Sequence, residues 1–443
     1  MDKYKTDIPH LLVSDKQGNF FEIPELLMTG ATLDAVVLPR SGELIPIPAG
    51  SDLFRLPGRI PVGFDPVTQE YVEVDEYQGL QVEAVGAFMS PAYLQIYRSA
   101  YEAEEGAPVL PLYCYTAAGW KKNGVYVAGM RIDSDKRQDY ENFDNDLICK
   151  RAKELPAKFP GNRLVLHLVE NCVLRYGCPA ARNFVMGRWE CPVPTSRTCN
   201  AVCLGCISLQ PKSSGFCASH ERITFTPTVE EIVEFVVPHL QNADRPVASF
   251  GQGCEGEPLL EGELLAESII QIRKKTARGI INVNTNASRP DVVEKLCKAG
   301  LDSMRVSMSS ARELFYNAYY QPKDYTFSDV VRSLEIARKY NKWTSLNYLT
   351  FSGFTDTTNE ISALEILVKR VNLNMIQTRN LNIDPVWYIK KAKLDESDHG
   401  RAVGMKAWVK HLQTHFPDLK LGYFNPPLSV MEQAIKKDNR ESQ

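Results

Sequence analysis

From about residue 193 the sequence alternates strand-like and helix-like segments, and this rhythm restricts the possible folds more than any other feature. The stretch "TFTPTVEEIVEFVVPHL" opens with Thr and Pro, carries acids in its first turn, and spaces Ile232, Phe235, Val236 and Leu240 on one face. That pattern is an amphipathic helix with a start signal. Further along, "PVASFGQG", "IINVNTNA", "DSMRVSMSS", "WTSLNYLTF" and "MIQTRNLNI" read as strands. Between them lie "LLEGELLAESIIQIRKKTARG", "RPDVVEKLCKAG", "TFSDVVRSLEIARKYN" and "NEISALEILVKRVN", which read as helices. Single helices joining strands imply right-handed βαβ units and a parallel sheet. A further strand near "PVPTSRT" brings the number of strands to six, fewer than a complete eight-fold barrel needs. A partial barrel and an open doubly wound sheet both satisfy this pattern. Either one places function at the C-terminal ends of the strands.

The remainder of the chain divides around that unit. Residues 1–150 are rich in Pro, Gly and short β-like runs, and read as a β-rich N-terminal domain with one helix expected around "PAYLQIYRSAYEAEEG". Asn123-Gly124 lies between apolar segments, which signals a tight hairpin. A charged boundary region, 134–162, leads into a Cys-containing connector at 151–192. The barrel unit occupies 193–390, and 391–443 forms a C-terminal extension whose "HFPDLKLGYFNPP" is expected to add a closing strand. The expected fold class is therefore α/β, a partial (β/α)6 TIM-like barrel behind a β-rich N-terminal domain.

The formal net charge of −3 argues against a large sequence-independent grip on nucleic acid. The N-terminus has no apolar run long enough for a signal peptide, and no stretch of about 18 apolar residues predicts a membrane span. A cytoplasmic location is the expectation. There the 11 cysteines are mostly reduced, and clustered ones read as metal-binding or catalytic before they read as disulfides.

Three of them stand together in "TCNAVCLGCIS": Cys199, Cys203 and Cys206, directly after the first expected strand of the barrel unit. A structural zinc site wants four closed ligands. Cys191, Cys217 and His220 are the local candidates for a fourth. Plain packing would require three close neighbours to face the same way. A [4Fe–4S] cluster held by three thiolates leaves one iron open for a ligand. The motif Cys-x-x-x-Cys-x-x-Cys followed by βα repeats resembles the radical S-adenosylmethionine (radical SAM) superfamily.

Further stretches carry the same resemblance in order. "GCEGEPLL" after the second strand is similar to the Gly-Gly-Glu-type motif that holds the methionine amino group, which makes Glu255 and Glu257 candidates. "NVNTNAS" resembles the Thr-Asn-Gly stretch, with Thr285 and Asn286. "MRVSMSS" resembles the strand that contacts the ribose and carboxylate, with Arg305 and Ser307, and "NYLTFSGFTD" places Asn347 near the cofactor. Two departures stand out: Gly205 where the family commonly has an aromatic, and Ala287 where it has Gly. The resemblance implies an oxygen-sensitive enzyme with a [4Fe–4S] cluster and S-adenosylmethionine. It also implies a one-electron reductant such as flavodoxin or ferredoxin. A 5′-deoxyadenosyl radical would then abstract hydrogen from a substrate the sequence does not identify.

Each assignment has a plainer competitor. Glu255 or Glu257 could cap the following helix, and Arg305 or Ser307 could be satisfied by buried neighbours. Gln377, Arg379 and Asn382 alternate along a strand whose centre should be apolar. They point to one face, which makes Gln377 and Arg379 candidate substrate contacts or members of an interior hydrogen-bond network. Cys172, Cys178, Cys191 and Cys217 form a second group that could hold an auxiliary iron–sulfur cluster. Cys254 looks solitary, and His411 and His415 read as a helix surface. The competing functions are a non-catalytic zinc-stabilised binding protein and an iron–sulfur electron carrier.

Overall fold

A computed structural model describes residues 7–122 and 124–431. Between His10 and Arg131, fifteen short strands join in one sheet whose pairings are antiparallel. Strands Thr116–Lys121 and Gly124–Arg131 pair with Lys121 opposite Gly124, the tight hairpin expected there, although Asn123 itself lies outside the described residues. The helix expected around 91–106 is absent. That stretch forms strands Tyr93–Gln95, Arg98–Ser99 and Tyr101–Ala103. Leu94, Gln95 and Ile96 are all buried, so this segment is covered on both faces as a strand inside the sheet, not on one helical stripe. Sheet partners on three different strands then override its helical composition.

The connector is helical, with helices Asn145–Glu154, Arg163–His167 and Pro179–Val185 around a π-helical stretch, Leu168–Arg175. After it come seven parallel strands in sequential order: β1 (Glu190–Val193), β2 (Val247–Phe250), β3 (Ile280–Thr285), β4 (Ser303–Met308), β5 (Trp343–Thr350), β6 (Met375–Asn380) and β7 (Lys420–Gly422). Successive strands are linked through α1 (Val229–Asn242), α2 (Gly262–Lys275), α3 (Pro290–Ala299), α4 (Phe327–Lys339), α5 (Thr358–Val371) and α6 (Met405–His415). The start of α1 is fixed by a capping box in which Thr228 and Glu231 each accept the other's backbone N–H. β7 is the closing strand expected from the C-terminal extension. β1 ends at Val193, earlier than the sequence suggested, because the N–H groups of Thr195 and Ser196 turn to a carboxylate instead of a ladder.

Register shows what each face of this sheet does. Met304, Val306 and Met308 alternate with Ser303, Arg305 and Ser307, and the first set joins the main apolar core. Cross-strand pairing then puts Ser249, Asn282, Asn284, Ser303, Arg305, Ser345, Ser307, Asn347, Gln377 and Arg379 on the opposite, inner face. A packed barrel fills that face with branched apolar side chains. Here only the bottom is apolar, where Val247, Ile280, Trp343 and Met375 cluster with Trp189 and Met431. Above that plug the interior is polar.

Two contacts complete the enclosure. Pairing runs from β1 to β7 without joining those two edges, and the segment just before the connector bridges the seam. Asp133 Oδ2 accepts from the N–H groups of Tyr423 (2.8 Å) and Phe424 (3.0 Å), and the Arg137 guanidinium lies 4.0 Å from the Trp189 ring centroid. The N-terminal sheet sits over the C-terminal ends of the strands. Leu33 N–H donates to the Ser352 carbonyl, and Gln95 N–H donates to Asn380 Oδ1. Arg59 pairs with Asp384 at 2.6 Å, and both are almost wholly buried. Asp384 also accepts the N–H of Leu110 and caps helix Pro385–Ala392. Removing one partner of such a pair strands a buried charge, which costs about 3–5 kcal/mol. Asp384→Ala should therefore lower the thermal midpoint sharply and expose the barrel mouth to limited proteolysis, whereas the exposed pair Arg245–Asp244 should be dispensable in the same assays.

Candidate active site

The loop after β1 carries Cys199, Cys203 and Cys206, all partly buried at the mouth of the polar interior. Their surroundings raise the pKa of the Cys199 and Cys203 thiols. Burial, then Cys206 and Cys199, hold the Cys203 thiol well above the ordinary thiol range. Burial with Glu257 nearby pushes Cys199 to about 11. A metal deprotonates a coordinating thiol outright whereas a nucleophilic cysteine wants a lowered pKa, so the donor set fits an iron–sulfur cluster better than it fits a nucleophile. Arg222 supports the same reading: its Nη2 lies 3.6 Å from Cys206 Sγ and its Nε donates to Ser208 Oγ. A guanidinium against one sulfur suits a group of net negative charge.

The Gly-Cys-Glu-Gly-Glu-Pro loop after β2 braces this segment. Gly256 N–H donates to the Ser196 carbonyl (2.7 Å), and Glu257 N–H to the Thr198 carbonyl (2.8 Å). A Cβ on Gly256 would lie 1.8 Å from the Thr198 oxygen, so only glycine permits this approach. Glu255 accepts from Thr195 N–H (2.7 Å), Thr195 Oγ1 (3.1 Å), Ser196 N–H (2.8 Å) and Gln252 N–H (2.6 Å). Three of the four converge on Oε2, and Oε1 takes only the Gln252 N–H. Glu257 accepts from three, Leu259 N–H, Thr285 Oγ1 and Asn286 N–H, which leaves one position open. Burial pushes both carboxyls to about 7 against these hydrogen bonds. Glu255 is therefore chiefly a brace to the cysteine loop, while Glu257 Oε2 takes a single N–H, from Asn286, and has room for an ammonium group. Glu257 also caps the turn Pro258–Glu261, so the capping reading holds for it as well.

The remaining sequence candidates fall in two places. Thr285 and Asn286 sit behind Glu257, and Asn286 Nδ2 donates to Asn200 Oδ1 (2.8 Å), tying the end of β3 to the cysteine loop. Arg305, Ser307, Asn347, Gln377 and Arg379 line the polar interior. Gln377 is fully occupied: its Oε1 accepts from Arg305 Nη1 (2.7 Å) and Arg379 Nη2 (3.3 Å), and its Nε2 donates to Asn425 (2.8 Å). The hydrogen-bond-network reading therefore describes Gln377. Arg305 Nε and Asn347 Oδ1 are buried without partners. Burial and the neighbouring Arg379 lower Arg305 to about 9, while Glu190 opposes that shift. Sequence reasoning missed Glu190, although a lone acid beginning an otherwise apolar strand was a usable signal.

Both departures have local explanations. A Cβ on Gly205 would lie 2.7 Å from Tyr319 Oη and 2.8 Å from Ile383 Cδ1, so side chains from two other elements fill the place of an aromatic residue. Ala287 takes φ of 58°, the left-handed conformation that Gly would hold without strain. The second cysteine group does not assemble as expected. Cys217 is exposed, and Cys191 is buried within β1. Cys172 instead meets Cys254, which the sequence had left solitary.

The three-thiol loop thus stands at the mouth of an enclosed, polar-lined partial barrel. Residues 193–364, under half of the chain, match the family model described as the Radical SAM superfamily. No curated protein matches the chain. Among solved structures, anSMEcpe with bound AdoMet is 21% identical, with 43% of this chain and 51% of that one covered and a TM-score of 0.32. SuiB from Streptococcus suis bound to S-adenosylmethionine is 11% identical, with 55% and 54% covered and a TM-score of 0.38. HydG, a maturase of the [FeFe]-hydrogenase, is 14% identical, with 67% and 70% covered and a TM-score of 0.38. The chain spans about half the length of the first two. Among the described residues no helix is long and apolar enough to cross a membrane.

The two glutamates should separate experimentally. Glu255→Gln places an amide N–H against backbone donors and should destabilise the protein by about 2–3 kcal/mol in denaturant titration. Glu257→Gln should retain more stability but weaken S-adenosylmethionine binding, read by equilibrium dialysis against cluster-loaded protein.

Proposed function

We propose that this chain holds a [4Fe–4S] cluster on Cys199, Cys203 and Cys206, binds S-adenosylmethionine beside it, and abstracts hydrogen from a substrate inside the barrel. The observation that carries this reading is the polar inner face of β3–β6, which opens toward the three-thiol loop. When bound, the cluster and S-adenosylmethionine supply a one-electron cleavage that yields a 5′-deoxyadenosyl radical able to take a hydrogen atom.

The chain's own residues orient and enclose. Glu257 offers its remaining acceptor position to the methionine ammonium, and Thr285 and Asn286 hold that carboxylate in place. Arg305 directs an unpartnered Nε into the interior and suits a carboxylate, while Ser307 and Asn347 offer groups to the ribose. Arg379 stands nearer the mouth, level with Leu349 where Arg305 is level with Ser345, and lies 3.8 Å from the Tyr423 ring centroid with its hydrogen bonds directed to backbone and Gln377. Two guanidiniums against Glu190 leave the interior electropositive, so a substrate bearing an anionic group fits it. The N-terminal sheet over the mouth excludes water from that space. A flavodoxin- or ferredoxin-like protein is the proposed electron donor, and a cytoplasmic setting agrees with the unpaired cysteines.

The test is 5′-deoxyadenosine formation by anaerobically reconstituted protein given dithionite and S-adenosylmethionine. The parent should form it and Cys203→Ala should not. A colourless, zinc-loaded parent would support the zinc-stabilised alternative, and an iron-containing protein whose electron spin resonance ignores S-adenosylmethionine would support the electron carrier. Arg305→Gln should weaken S-adenosylmethionine binding about tenfold or more, as expected for a lost charged hydrogen bond. Arg379→Gln should leave it within about twofold.

A further inference from the structure

Outside the barrel interior, the connector and the loop after β2 bring His167, Cys172 and Cys254 together. All three are buried, with exposures of 8%, 2% and 5%. One ring nitrogen and two sulfurs lie within 4.8 Å of one another, and the two Sγ atoms are 3.6 Å apart. His167 and Cys172 are five residues apart, a spacing that would turn them about 140° away from each other on an α-helix. The stretch Leu168–Arg175 is wound as π-helix, whose i→i+5 repeat stacks residues five apart. That winding turns both side chains toward Cys254.

Ordinary packing does not account for the imidazole. Its Nδ1 lies 3.1 Å from the side-chain amide of Asn171, while its Nε2 is buried without a hydrogen-bond partner. The nearer amide atom is Asn171 Nδ2; with the oxygen and nitrogen of that amide exchanged, the oxygen would accept from Nδ1–H and leave Nε2 as a free lone pair. Metal-ligating histidines are commonly held this way by their other nitrogen. A buried polar atom left unpaired costs about 1–3 kcal/mol, and one cation would satisfy it together with both thiols.

We propose that His167, Cys172 and Cys254 bind a single thiophilic divalent cation, zinc by donor set, at a site separate from the three-cysteine loop. With Zn–S bonds of about 2.3 Å, the observed sulfur separation subtends about 103° at the metal, close to tetrahedral. Cys178 is the candidate fourth ligand. Its N–H donates to the Cys172 carbonyl (2.7 Å), and its thiol, outside the group of three, would have to turn inward or leave the fourth position to a water. The site would pin the connector to the loop that carries Glu255 and Glu257. A bound ion there would stiffen the brace under the cysteine loop. This proposal does not depend on the function proposed above.

The experiment uses full-length protein carrying Cys199→Ala, Cys203→Ala and Cys206→Ala, so that cluster iron cannot confuse the result. Grown with zinc, it should retain about one equivalent by elemental analysis. Cobalt(II) titration of the chelator-stripped protein should give the intense visible bands and thiolate charge-transfer absorption of a tetrahedral site. Adding Cys254→Ser or His167→Ala should abolish both signals. A chelator should lower the thermal midpoint of the triple variant, a measurement that stands even if the additional substitutions prevent folding. Absence of zinc and of cobalt absorption in the triple variant would overturn the proposal. Metal retention unchanged by both additional substitutions in folded protein would also overturn it, as would a Cys172–Cys254 disulfide in anaerobically prepared protein.

Discussion

The Glu255 carboxylate, with its four donors, is the interaction on which the arrangement of the site depends. It takes up N–H groups that β1 would otherwise leave unsatisfied where pairing stops at Val193, and it anchors the next loop through Gln252. Two backbone hydrogen bonds from Gly256 and Glu257 then lock the loops side by side. The cysteine loop begins one residue after the last of these contacts. Its position is thus set by a buried acid that need not touch a ligand, and a nearby acid, Glu257, is left with the capacity to do so.

The second organising feature is the contrast along the barrel axis. An apolar plug of Trp189, Val247, Ile280, Trp343 and Met375 supplies burial at the bottom. The inner face above it carries Asn, Ser, Gln and Arg, which are unfavourable there unless they bond to one another or to a ligand. Gln377 belongs to the first kind, whereas Arg305 Nε and Asn347 Oδ1 have no protein partner. Stability and ligand capacity are therefore assigned to different depths of one sheet.

Much of this was legible in the sequence, and the parts that were not share a cause. Six of the seven parallel strands and five of their linking helices follow from hydrophobic period, caps and Gly stops, which are local signals. The closing strand was readable from "HFPDLKLGYFNPP". The segment 91–106 was misread because its composition suits a helix while its partners lie on distant strands. At the site, the three cysteines and the Glu-Gly-Glu stretch were visible as spacing. The different duties of Glu255 and Glu257 were not, since they depend on how many donors each meets after folding. The pairing of Cys172 with Cys254, 82 positions apart, was equally invisible. It depends on a π-helical winding that no periodicity announces.

The seam of the barrel has a consequence for biosynthesis. Its wall is finished only when Asp133 meets Tyr423 and Phe424, contacts that span about 290 positions. Closures of such long range form late, and a ribosome adds roughly 5–20 residues each second. The cysteine loop therefore leaves the ribosome on the order of ten to forty seconds before the last strand can seal the wall. During that interval the three thiols are accessible from the side, so any group they are to hold could reach them before the chamber closes.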